Sequence, residues 1–395
     1  MINSTLAGVF QNAQRRSATN IYGMRYGIRG VLDGNIVNLG DSIKGTMEFE
    51  ILKRTPSSFL GSCRYRLPDP AENEAVYQTI FQTLKERDIS AFLYIGGNDS
   101  MDTILKLSQY GRAVGSDIRF IGVPKTIDND LMETDHTPGY GSAAKYIAVT
   151  MKEIIRDATV YGTPNVTIVE IMGRNSGWLT MAAALAEGDD CEGVDMICLP
   201  ETPFHVEAFT QRVSQALAQK QDAVIIAVSE GLKLDDGRYV CELSDDARYT
   251  DAFGHKNLTG TARYLSNLVA RQLQVKTRCI ELSTLQRCAA HVTSRTDITE
   301  AYQVGGAGVK AAMEGLTGQM ITLQRVSEDP YQAISGLHPV ELVANLEKKV
   351  PAAWIDTDAL AVREEAVRYV RPLVQAELPA FYIDGLVRHL SLKFC

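Results

Sequence analysis

The sequence lacks any apolar run that is long enough to span a membrane. Its longest purely aliphatic run, Ala223–Val228, is far shorter than the ~20 residues that cross a bilayer. It also lacks an excess of positive charge, because 40 lysines and arginines face 48 aspartates and glutamates, a formal net charge of −8. General nucleic-acid binding needs a basic surface, so we expect neither nucleic acid nor membrane as a partner. An anionic small substrate needs only a local cationic pocket and is compatible with this charge.

Cysteine is scarce and scattered. The seven cysteines form no CxxC pair and show no metal-ligand spacing. Their number is odd and no secretory leader precedes them, so we expect buried free thiols in a cytoplasmic protein. The six histidines also show no ligand spacing, and we expect them on the surface or hydrogen-bonded in the core. The cysteines are Cys63, Cys191, Cys198, Cys241, Cys279, Cys288 and Cys395.

Several well-known catalytic and nucleotide-binding motifs are absent. The sequence has no P-loop, no GxGxxG after a strand, no HExxH, no GxSxG and no set of protein-kinase motifs. A GGAG at 305–308 opens a predicted helix without a preceding strand, so we interpret these glycines as packing positions.

What the sequence does contain is an alternation of apolar strands and amphipathic helices. Its 395 residues predict about two domains. Continuous apolar strands alternating with helices predict an α/β fold with a parallel sheet covered on both faces, and ligands beyond the carboxyl ends of its strands. The predicted strands are Ile89–Ile95, Ile118–Val123, Val166–Met172 and Ala223–Val228, and helices are predicted after Pro70, from GGNDS to about Tyr110, and at 142–158, 178–186 and 206–220.

Two polar segments follow the first two predicted strands. In GGNDS (Gly96–Ser100), glycines admit a ligand close to the backbone and a helix start offers N–H groups to an anion; a plain tight turn is the alternative. In PKTIDND (Pro124–Asp130), a carboxylate is suited to act as a general base on a hydroxyl, and Lys125 is suited to stabilise a transferring phosphoryl group. A solvated acidic turn is the alternative for this second segment.

Two further strand ends carry MGRNSG (172–177) and SEG (229–231). Arg174 is a candidate phosphate ligand, because its guanidinium fork matches an oxyanion, or it forms a surface ion pair. Glu230 is a candidate ligand of sugar hydroxyls, or it caps the next segment. Arg278 and Arg287 flank RCIELSTLQR, for which an exposed helix or strand face is the simpler interpretation.

Together these segments resemble the motifs of the phosphofructokinase family. GGNDS, PKTIDND, VEIMGRNSGW, SEG and TLQR occur in the order and approximate spacing of that family, and LGSCR (Leu60–Arg64) matches as well. The resemblance runs from Met1 to about residue 310. It implies two Rossmann-like domains with mainly parallel sheets and the active site in the interdomain cleft, and phosphorylation of the 1-hydroxyl of fructose 6-phosphate with Mg²⁺ in glycolysis. It also implies a homo-oligomer, a dimer or a tetramer, since residues near a subunit boundary help to bind the sugar phosphate in this family.

Two positions separate the donor classes of the family. ATP-using members resemble GGDGS and PGTIDND, whereas this chain has Asp99 and Lys125 in place of two of those glycines, which resembles the pyrophosphate-dependent class. A carboxylate at Asp99 would repel the α-phosphate of a nucleotide, and Lys125 would offset charge in a loose transition state. The resemblance thus implies reversible transfer from pyrophosphate, giving fructose 1,6-bisphosphate and phosphate. An ATP-dependent enzyme and a catalytically silent sugar-phosphate-binding paralogue are the alternatives.

The roles of the family carry over to matching positions. The resemblance implies a catalytic set of Asp128 as general base, Lys125, Thr126, Asp130 and Arg174. It implies that the donor contacts Gly96, Gly97, Asp99, Ser100, Arg64 and Lys125, and that Asn98 and Asp130 hold the metal. It implies that the sugar phosphate contacts Thr126, Asp128, Met172, Gly173, Arg174, Glu230, Arg278, Thr284 and Arg287.

The chain departs from the family pattern at three places. Asn98 replaces an aspartate that helps to hold Mg²⁺, and its neutral oxygen is a weaker ligand for a hard cation, so we expect lower metal affinity or a contribution from Asp99 and Asp130. Thr284 replaces a histidine that touches the sugar in many ATP-using members. Other members open with a strand and a Gly-rich loop, and we expect this chain to be short of them by ~10–15 residues, or to bind the donor phosphates without that loop.

The motifs predict which residues form each domain. We expect a donor-phosphate domain of residues 1–139 and about 288–325, and a sugar-phosphate domain of residues 140–287 and about 326–395. No sequence feature assigns a role to the stretch after about Glu328 or marks an effector site.

Overall fold

The computed structural model describes residues 1–244 and 258–392, which form two compact units. The helices are α1 (Ile2–Arg15), α2 (Ile28–Leu32), α3 (Leu39–Ser42), α4 (Thr46–Arg54), α5 (Glu74–Glu86), α6 (Asn98–Ala113), α7 (Tyr140–Ala158), α8 (Trp178–Met181), α9 (Val206–Lys220), α10 (Thr261–Leu273), α11 (Leu285–Cys288), α12 (Arg295–Met313) and α13 (Glu364–Val370). The strands are β1 (Tyr22–Met24), β2 (Ile36–Asn38), β3 (Ala91–Gly96), β4 (Arg119–Pro124), β5 (Asn165–Ile171), β6 (Met196–Cys198), β7 (Ala223–Ser229), β8 (Lys276–Glu281), β9 (Gln319–Glu328), β10 (Tyr331–Pro339), β11 (Ile355–Asp356), β12 (Ala361–Val362), β13 (Tyr382–Ile383) and β14 (Leu386–Val387). Short 3₁₀ helices occupy Ala182–Ala186, Val240–Leu243, Val340–Leu342, Ala352–Trp354 and Arg371–Val374.

Unit 1 comprises Met1–Gly139, Thr293–Glu347 and Ala376–Cys395. Its four-stranded sheet has the order β10-β9-β4-β3, in which β3, β4 and β9 are parallel and β10 is antiparallel. One face packs on α5 and α6 through aromatic residues such as Phe120 and Tyr77, which are fully buried. Because β3 and β4 are parallel neighbours, the segments that follow them lie at the same edge of the sheet.

Unit 2 comprises Tyr140–Val292 and Lys348–Gln375. Its sheet is parallel throughout and has the order β6-β7-β5-β8. Every residue of the two central strands, β5 and β7, is buried, as the continuous apolar runs predict. The predicted fold class, an α/β protein with two units and mainly parallel sheets, is confirmed.

The C-terminal stretch differs from the predicted division. Residues 326–347 and the segment from Ala376 belong to unit 1 and not to the predicted sugar-phosphate domain, and 288–292 belong to unit 2. The physical reason is pairing along a long hairpin: β10 pairs with β9 from Tyr331↔Glu328 to Pro339↔Gln319, and β9 lies beside β4.

Some local predictions also need correction. Helix α5 begins at Glu74 and not after Pro70, because the Asp69 carboxylate accepts a hydrogen bond from Ala71 N (2.9 Å) and closes a separate turn first. The predicted helix 178–186 is α8 followed by a 3₁₀ turn, and the glycines at 305–308 lie inside α12.

The cysteines are free thiols where the structure describes them, but the prediction that they are buried holds only in part. Cys198 and Cys241 are buried, whereas the other four are partly exposed; Cys395, like His255, lies outside the described residues. In the ranges 1–244 and 258–392, no helix is long and apolar enough to cross a membrane.

Candidate active site

The turn between β3 and α6 holds the GGNDS motif. Gly96 ends the strand, and a side chain there would come within 2.0 Å of the Ser100 hydroxyl, so the turn itself requires this glycine. Gly97 differs, because the nearest atom to a side chain there would be 3.6 Å away, on Thr126. Gly97 directly precedes the first turn of a 16-residue helix, whose N–H groups and dipole suit an anion.

The PKTIDND loop follows β4 and lies directly beside this turn. Lys125 N donates to Gly96 O (2.9 Å), which joins the two predicted donor segments. In the loop, the Thr126 hydroxyl accepts a hydrogen bond from Asp128 N (3.1 Å) and donates to Asp128 Oδ2 (3.3 Å). The Asp128 carboxylate is therefore held in a defined orientation, as a general base needs.

A buried asparagine fixes the backbone of the same loop. Asn129 is fully buried and has a φ of +55°, and its Oδ1 accepts a hydrogen bond from Thr137 N (3.0 Å). The Thr137 hydroxyl donates to Thr126 O (2.8 Å), and Gly139 N donates to the Asp297 carboxylate of α12 (2.8 Å). Residues 137–139 thus fix the backbone of the PKTIDND loop through hydrogen bonds. Asn129, Thr137 and Asp297 were not predicted as site residues, because only their tertiary partners show what they do.

In unit 2, the MGR and SEG segments are joined by hydrogen bonds at the carboxyl ends of β5 and β7. The Ser229 hydroxyl donates to Gly173 O (2.6 Å), and Gly173 N donates to the Glu230 carboxylate (3.4 Å). Met172 N donates to Oε1 of Gln286, which is buried and was not predicted. The structure thus brings together three of the predicted sugar-phosphate segments, MGR, SEG and TLQR.

This contact explains a glycine in each of the two segments. A side chain at Gly231 would lie 1.9 Å from Arg174 O, and one at Gly173, where φ is +143°, would lie 2.4 Å from Ser176 O. The Arg174 side chain is half-buried at this site. The main chains of the two segments therefore approach each other too closely for a side chain at either glycine.

The sequence profile of phosphofructokinases matches residues 1–312. The chain belongs to the phosphofructokinase family. A pyrophosphate–fructose 6-phosphate 1-phosphotransferase of Xanthomonas campestris is 39% identical over 396 residues, which cover 100% of this chain and 93% of the relative. A protein of the same name from Methylococcus capsulatus is 36% identical over 397 residues, with coverage of 99% and 93%. The crystal structure of a pyrophosphate-dependent phosphofructokinase from Nitrosospira multiformis matches with a TM-score of 0.88 at 34% identity, and covers 100% and 93% of the two chains.

Within this family fold, the other predicted donor residues, Asp99, Ser100 and Arg64, differ in exposure. Asp99 is exposed in the first turn of α6, where a carboxylate is stabilised by the helix dipole. Arg64 is exposed in the extended segment between α4 and α5, and Ser100 is partly buried. The contacts of Asp99 and Arg64 with a donor stay a prediction.

The predicted metal ligand Asn98 has a different set of contacts. Its Oδ1 accepts a hydrogen bond from Asn345 N (2.6 Å), and its Nδ2 donates to Leu346 O (2.5 Å). Both ends of the amide therefore bind main chain of the C-terminal stretch. The assignment of Asn98 to the metal stays a prediction.

The chemistry of the loop nevertheless fits Mg²⁺. Among the described residues, no group of three or more His, Cys, Asp or Glu side chains is placed to hold an ion by itself. Mg²⁺ does not need such a group, because it is usually bound by one or two carboxylates together with substrate phosphates and water. Asp128 and Asp130 supply hard carboxylate oxygens beside the predicted donor site, and this set matches that requirement.

The structure separates Arg278 from the other predicted sugar-phosphate residues of unit 2. Arg278 lies on the edge strand β8 and pairs with Thr167 of β5, roughly 13 Å along that strand from its end at Ile171. Its guanidinium forms an ion pair with the Asp157 carboxylate of α7 (2.7 Å). It lines a cavity of about 290 Å³ with Thr150, Glu153, Ile154, Asp157, Thr167 and Ile280.

Thr284 and Arg287 lie closer to the strand ends. Both are exposed, Thr284 just before α11 and Arg287 within it, next to the buried Gln286 that holds Met172. Their contacts with a 6-phosphate, and that of Arg278, stay predictions.

A buried glutamate beside this site was also missed. Glu170 accepts hydrogen bonds from Gly260 N (3.1 Å) and Ala262 N (2.9 Å) at the start of α10. Burial raises the pKa of Glu170 to about 7, and the nearby Glu281 and Glu230 carboxylates raise it as well. The two hydrogen bonds lower the pKa but do not offset these effects. The group therefore titrates near neutral pH.

A buried charged cluster stands behind the PKTIDND loop. The His136 ring contacts the Asp135 carboxylate through Nδ1 (2.7 Å) and the Glu300 carboxylate of α12 through Nε2 (2.7 Å). Arg325 of β9 also binds Asp135 (3.1 Å), and the Tyr331 hydroxyl donates to Glu300 (2.7 Å). Burial alone would lower the pKa of His136, but its two carboxylate partners raise it to about 9. His136 is thus an imidazolium at neutral pH and joins the loop to α12 and to the β9–β10 hairpin.

Proposed function

We propose that this chain transfers a phosphoryl group from pyrophosphate to the 1-hydroxyl of fructose 6-phosphate, reversibly and with Mg²⁺, giving fructose 1,6-bisphosphate and phosphate. The observation that carries the proposal is the oriented Asp128 carboxylate in a loop that is hydrogen-bonded to the β3–α6 turn. Family membership and relatives named for this reaction support it. We also propose that the active form is a homo-oligomer, as the family resemblance implies.

The chemistry follows from the residues of the loop. Asp128 accepts the proton of the 1-hydroxyl while the sugar oxygen bonds to phosphorus and the bridging P–O bond of pyrophosphate breaks, with phosphate as the leaving group. Lys125 neutralises charge on the phosphoryl group in transfer. Asp130 would hold Mg²⁺ together with the donor phosphates, and the ion would supply further charge neutralisation when bound.

The choice of donor is proposed from two side chains. Asp99, exposed on the first turn of α6, would repel the α-phosphate of a nucleotide, whereas pyrophosphate has no phosphate at that position. The positive charge of Lys125 would neutralise part of the negative charge of pyrophosphate. Both residues stand where glycines occur in the ATP-using members that the sequence resembles.

A donor assay tests the proposal. Formation of fructose 1,6-bisphosphate is measured with pyrophosphate and with ATP in parallel, at saturating Mg²⁺. We expect turnover with pyrophosphate alone. Asp128→Asn should reduce kcat by about 10²–10⁴-fold, the usual contribution of a general base. Asp117→Asn, an exposed position before β4, is the matched control and should keep wild-type kcat.

Two results would overturn the proposal. Turnover with ATP and none with pyrophosphate would refute the donor assignment. Binding of fructose 6-phosphate without turnover, at any Mg²⁺ concentration, would identify a silent sugar-phosphate-binding protein. A further variant with Asp99→Gly and Lys125→Gly should weaken the use of pyrophosphate.

A further inference from the structure

Residues 340–347, which we call the strap, lie against the first turn of α6 and beyond the residues that the family profile matches. Asn98 joins the two segments through both ends of its amide. One end accepts from Asn345 N and the other donates to Leu346 O, at 2.6 and 2.5 Å. The pairing needs one acceptor and one donor on the same side chain, which an amide has and a carboxylate does not.

The strap is anchored firmly at its start. Val340 N donates to Gly318 O (3.0 Å), and the side chains of Val340, Val343 and Ala344 are buried in the main core cluster of unit 1. By contrast, Leu346 is 47% exposed. The end of the strap therefore depends on polar contacts for its position.

Those contacts continue along one face of α6. Asn345 adopts a φ of +63°, and its side chain donates to the Asp102 carboxylate (2.9 Å), one helical turn after Asn98. Lys106, a further turn along, binds Asp102 (2.7 Å) and also donates to Leu67 O (2.9 Å). The face 98, 102, 106 of α6 is thus polar along its length, and the strap contacts it at Asn98 and Asp102.

We propose that Asn98 is a positioning residue, which fastens the strap over the first turn of α6 so that the strap forms one wall of the donor-phosphate site. The inference rests on the proposed function for the identity of the ligand. It gives a physical reason for an asparagine in GGNDS: a carboxylate at this position would face the Leu346 carbonyl oxygen without a proton to donate. On this inference, Asn98 binds the strap and does not hold the metal.

The two roles of Asn98 predict opposite effects of one substitution. If Asn98 faced the metal, Asn98→Asp would strengthen metal binding, because a carboxylate is a better ligand for a hard cation than an amide. If Asn98 fastens the strap, Asn98→Asp loses the bond to Leu346 and places two oxygens in contact, which releases the strap. The loss of one hydrogen bond and the contact of two unpaired oxygens together correspond to an effect of about 10-fold.

The experiment compares the full-length wild type, Asn98→Asp and Asn345→Gly. Asn345→Gly keeps the left-handed backbone and removes only the bond to Asp102, so it should act in the same direction but more weakly. The readouts are amide hydrogen exchange of residues 345–347, the KM for each substrate, kcat, and Mn²⁺ binding measured by electron paramagnetic resonance. Asn20→Asp, in the exposed loop after α1, is the matched control.

For Asn98→Asp we expect exchange at 345–347 to be about 10-fold faster and the KM for pyrophosphate to rise by about 10-fold, while the KM for fructose 6-phosphate and kcat stay near wild-type values. Unchanged exchange together with tighter Mn²⁺ binding would overturn the inference. Faster exchange with an unchanged KM for pyrophosphate would refute the proposal that the strap forms a wall of the donor-phosphate site. Failure of the proposed function is seen separately, as a wild type that does not use pyrophosphate. If Asn98→Asp does not fold, Asn345→Gly carries the same test.

Discussion

At the scale of single residues, the two adjacent glycines of GGNDS have different tasks. Gly96 is required by the turn itself, because any side chain would collide with Ser100. A side chain at Gly97 would make only ordinary van der Waals contacts, the nearest at 3.6 Å on Thr126, and its φ of −91° is one that any residue adopts, so the turn itself does not require this glycine. A sequence pattern cannot separate these two cases, since both positions have the same letter.

A matched pair of substitutions tests this difference. Gly96→Ala should lower the free energy of unfolding by about 1–3 kcal/mol, because Ser100 has to move in a packed turn. Gly97→Ala should leave the melting temperature unchanged, because its methyl group makes only ordinary contacts with Thr126 and Lys125, and should raise the KM for pyrophosphate, because it adds bulk beside the predicted donor loop. Thermal melts and steady-state kinetics measure both. The reverse order of effects would show that the donor does not bind beside Gly97.

His136 gives a prediction for pH dependence. Its pKa is raised from 6.5 to about 9 in the folded protein, so its contribution to stability is complete below pH 6.5 and is lost as the pH rises through about 9. For this fully buried group, the loss should reach about 3 kcal/mol in the free energy of unfolding. Denaturant melts of the wild type and of His136→Gln measure it. The difference in stability between the two proteins should shrink with rising pH, and a constant difference would contradict the charged state.

At the scale of elements, the packing of α1 on α12 explains the glycines that were predicted as packing positions. Helix α12 approaches the main chain of α1 so closely that a side chain at Gly305 would lie 2.2 Å from Thr5 O. At the neighbouring Gly306, a side chain would meet only the movable end of Asn12. A side chain is therefore expected to destabilise the protein more at Gly305 than at Gly306, although both lie on the same helix.

Alanine at each position checks the packing. Gly305→Ala should destabilise the protein by more than about 1 kcal/mol, because the two helices have to separate. Gly306→Ala should be neutral or stabilising, since alanine favours a helix by about 1 kcal/mol over glycine. Chemical denaturation of both variants is the measurement. Equal destabilisation would mean that the close approach of the two helices does not limit stability.

The elements also show where prediction from sequence succeeds and where it stops. The strands β3, β4, β5 and β7 were predicted within a few residues, because buried parallel strands are continuous apolar runs with a polar turn after them. The hairpin β9–β10 was not predicted, since only Met320–Leu323 forms a short buried run, the rest of the hairpin is partly or fully exposed, and its partner strand β4 is distant in sequence. The start of α5 was placed too early because a separate local turn precedes the helix.

The candidate site was predictable for a related reason. Residues such as Asp128 and Glu230 stand directly after apolar strands, so a sequence pattern finds them. The contacts of Asn98 and Gln286 were not predictable, because their partners are 248 and 114 residues away. Tertiary contacts of this kind decide whether a polar residue binds a ligand or the chain itself.

At the scale of the whole molecule, the predicted ligand segments divide between the two units. GGNDS and PKTIDND belong to unit 1, whereas MGR, SEG and TLQR belong to unit 2. On the proposed function, pyrophosphate alone should slow amide exchange at residues 96–103 and at Lys125. Fructose 6-phosphate alone should slow it at 172–174, 229–231 and 286–287, and also at 126–128, where Asp128 faces its 1-hydroxyl. Hydrogen exchange with mass spectrometry measures both patterns, and protection of residues 96–103 by the sugar phosphate alone would contradict the assignment.

The strand order of unit 1 has a consequence for how the protein is made. Strands β4 and β9 are neighbours in the sheet, yet all of Tyr140–Val292, the larger part of unit 2, is synthesised between them. At a synthesis rate of ~5–20 residues per second, the ribosome completes β9 on the order of 10–40 s after β4. During this time one side of a nascent strand is open to pairing with other chains. Translation speed across the middle of the message and the supply of chaperones should therefore govern how much of this protein reaches its native state.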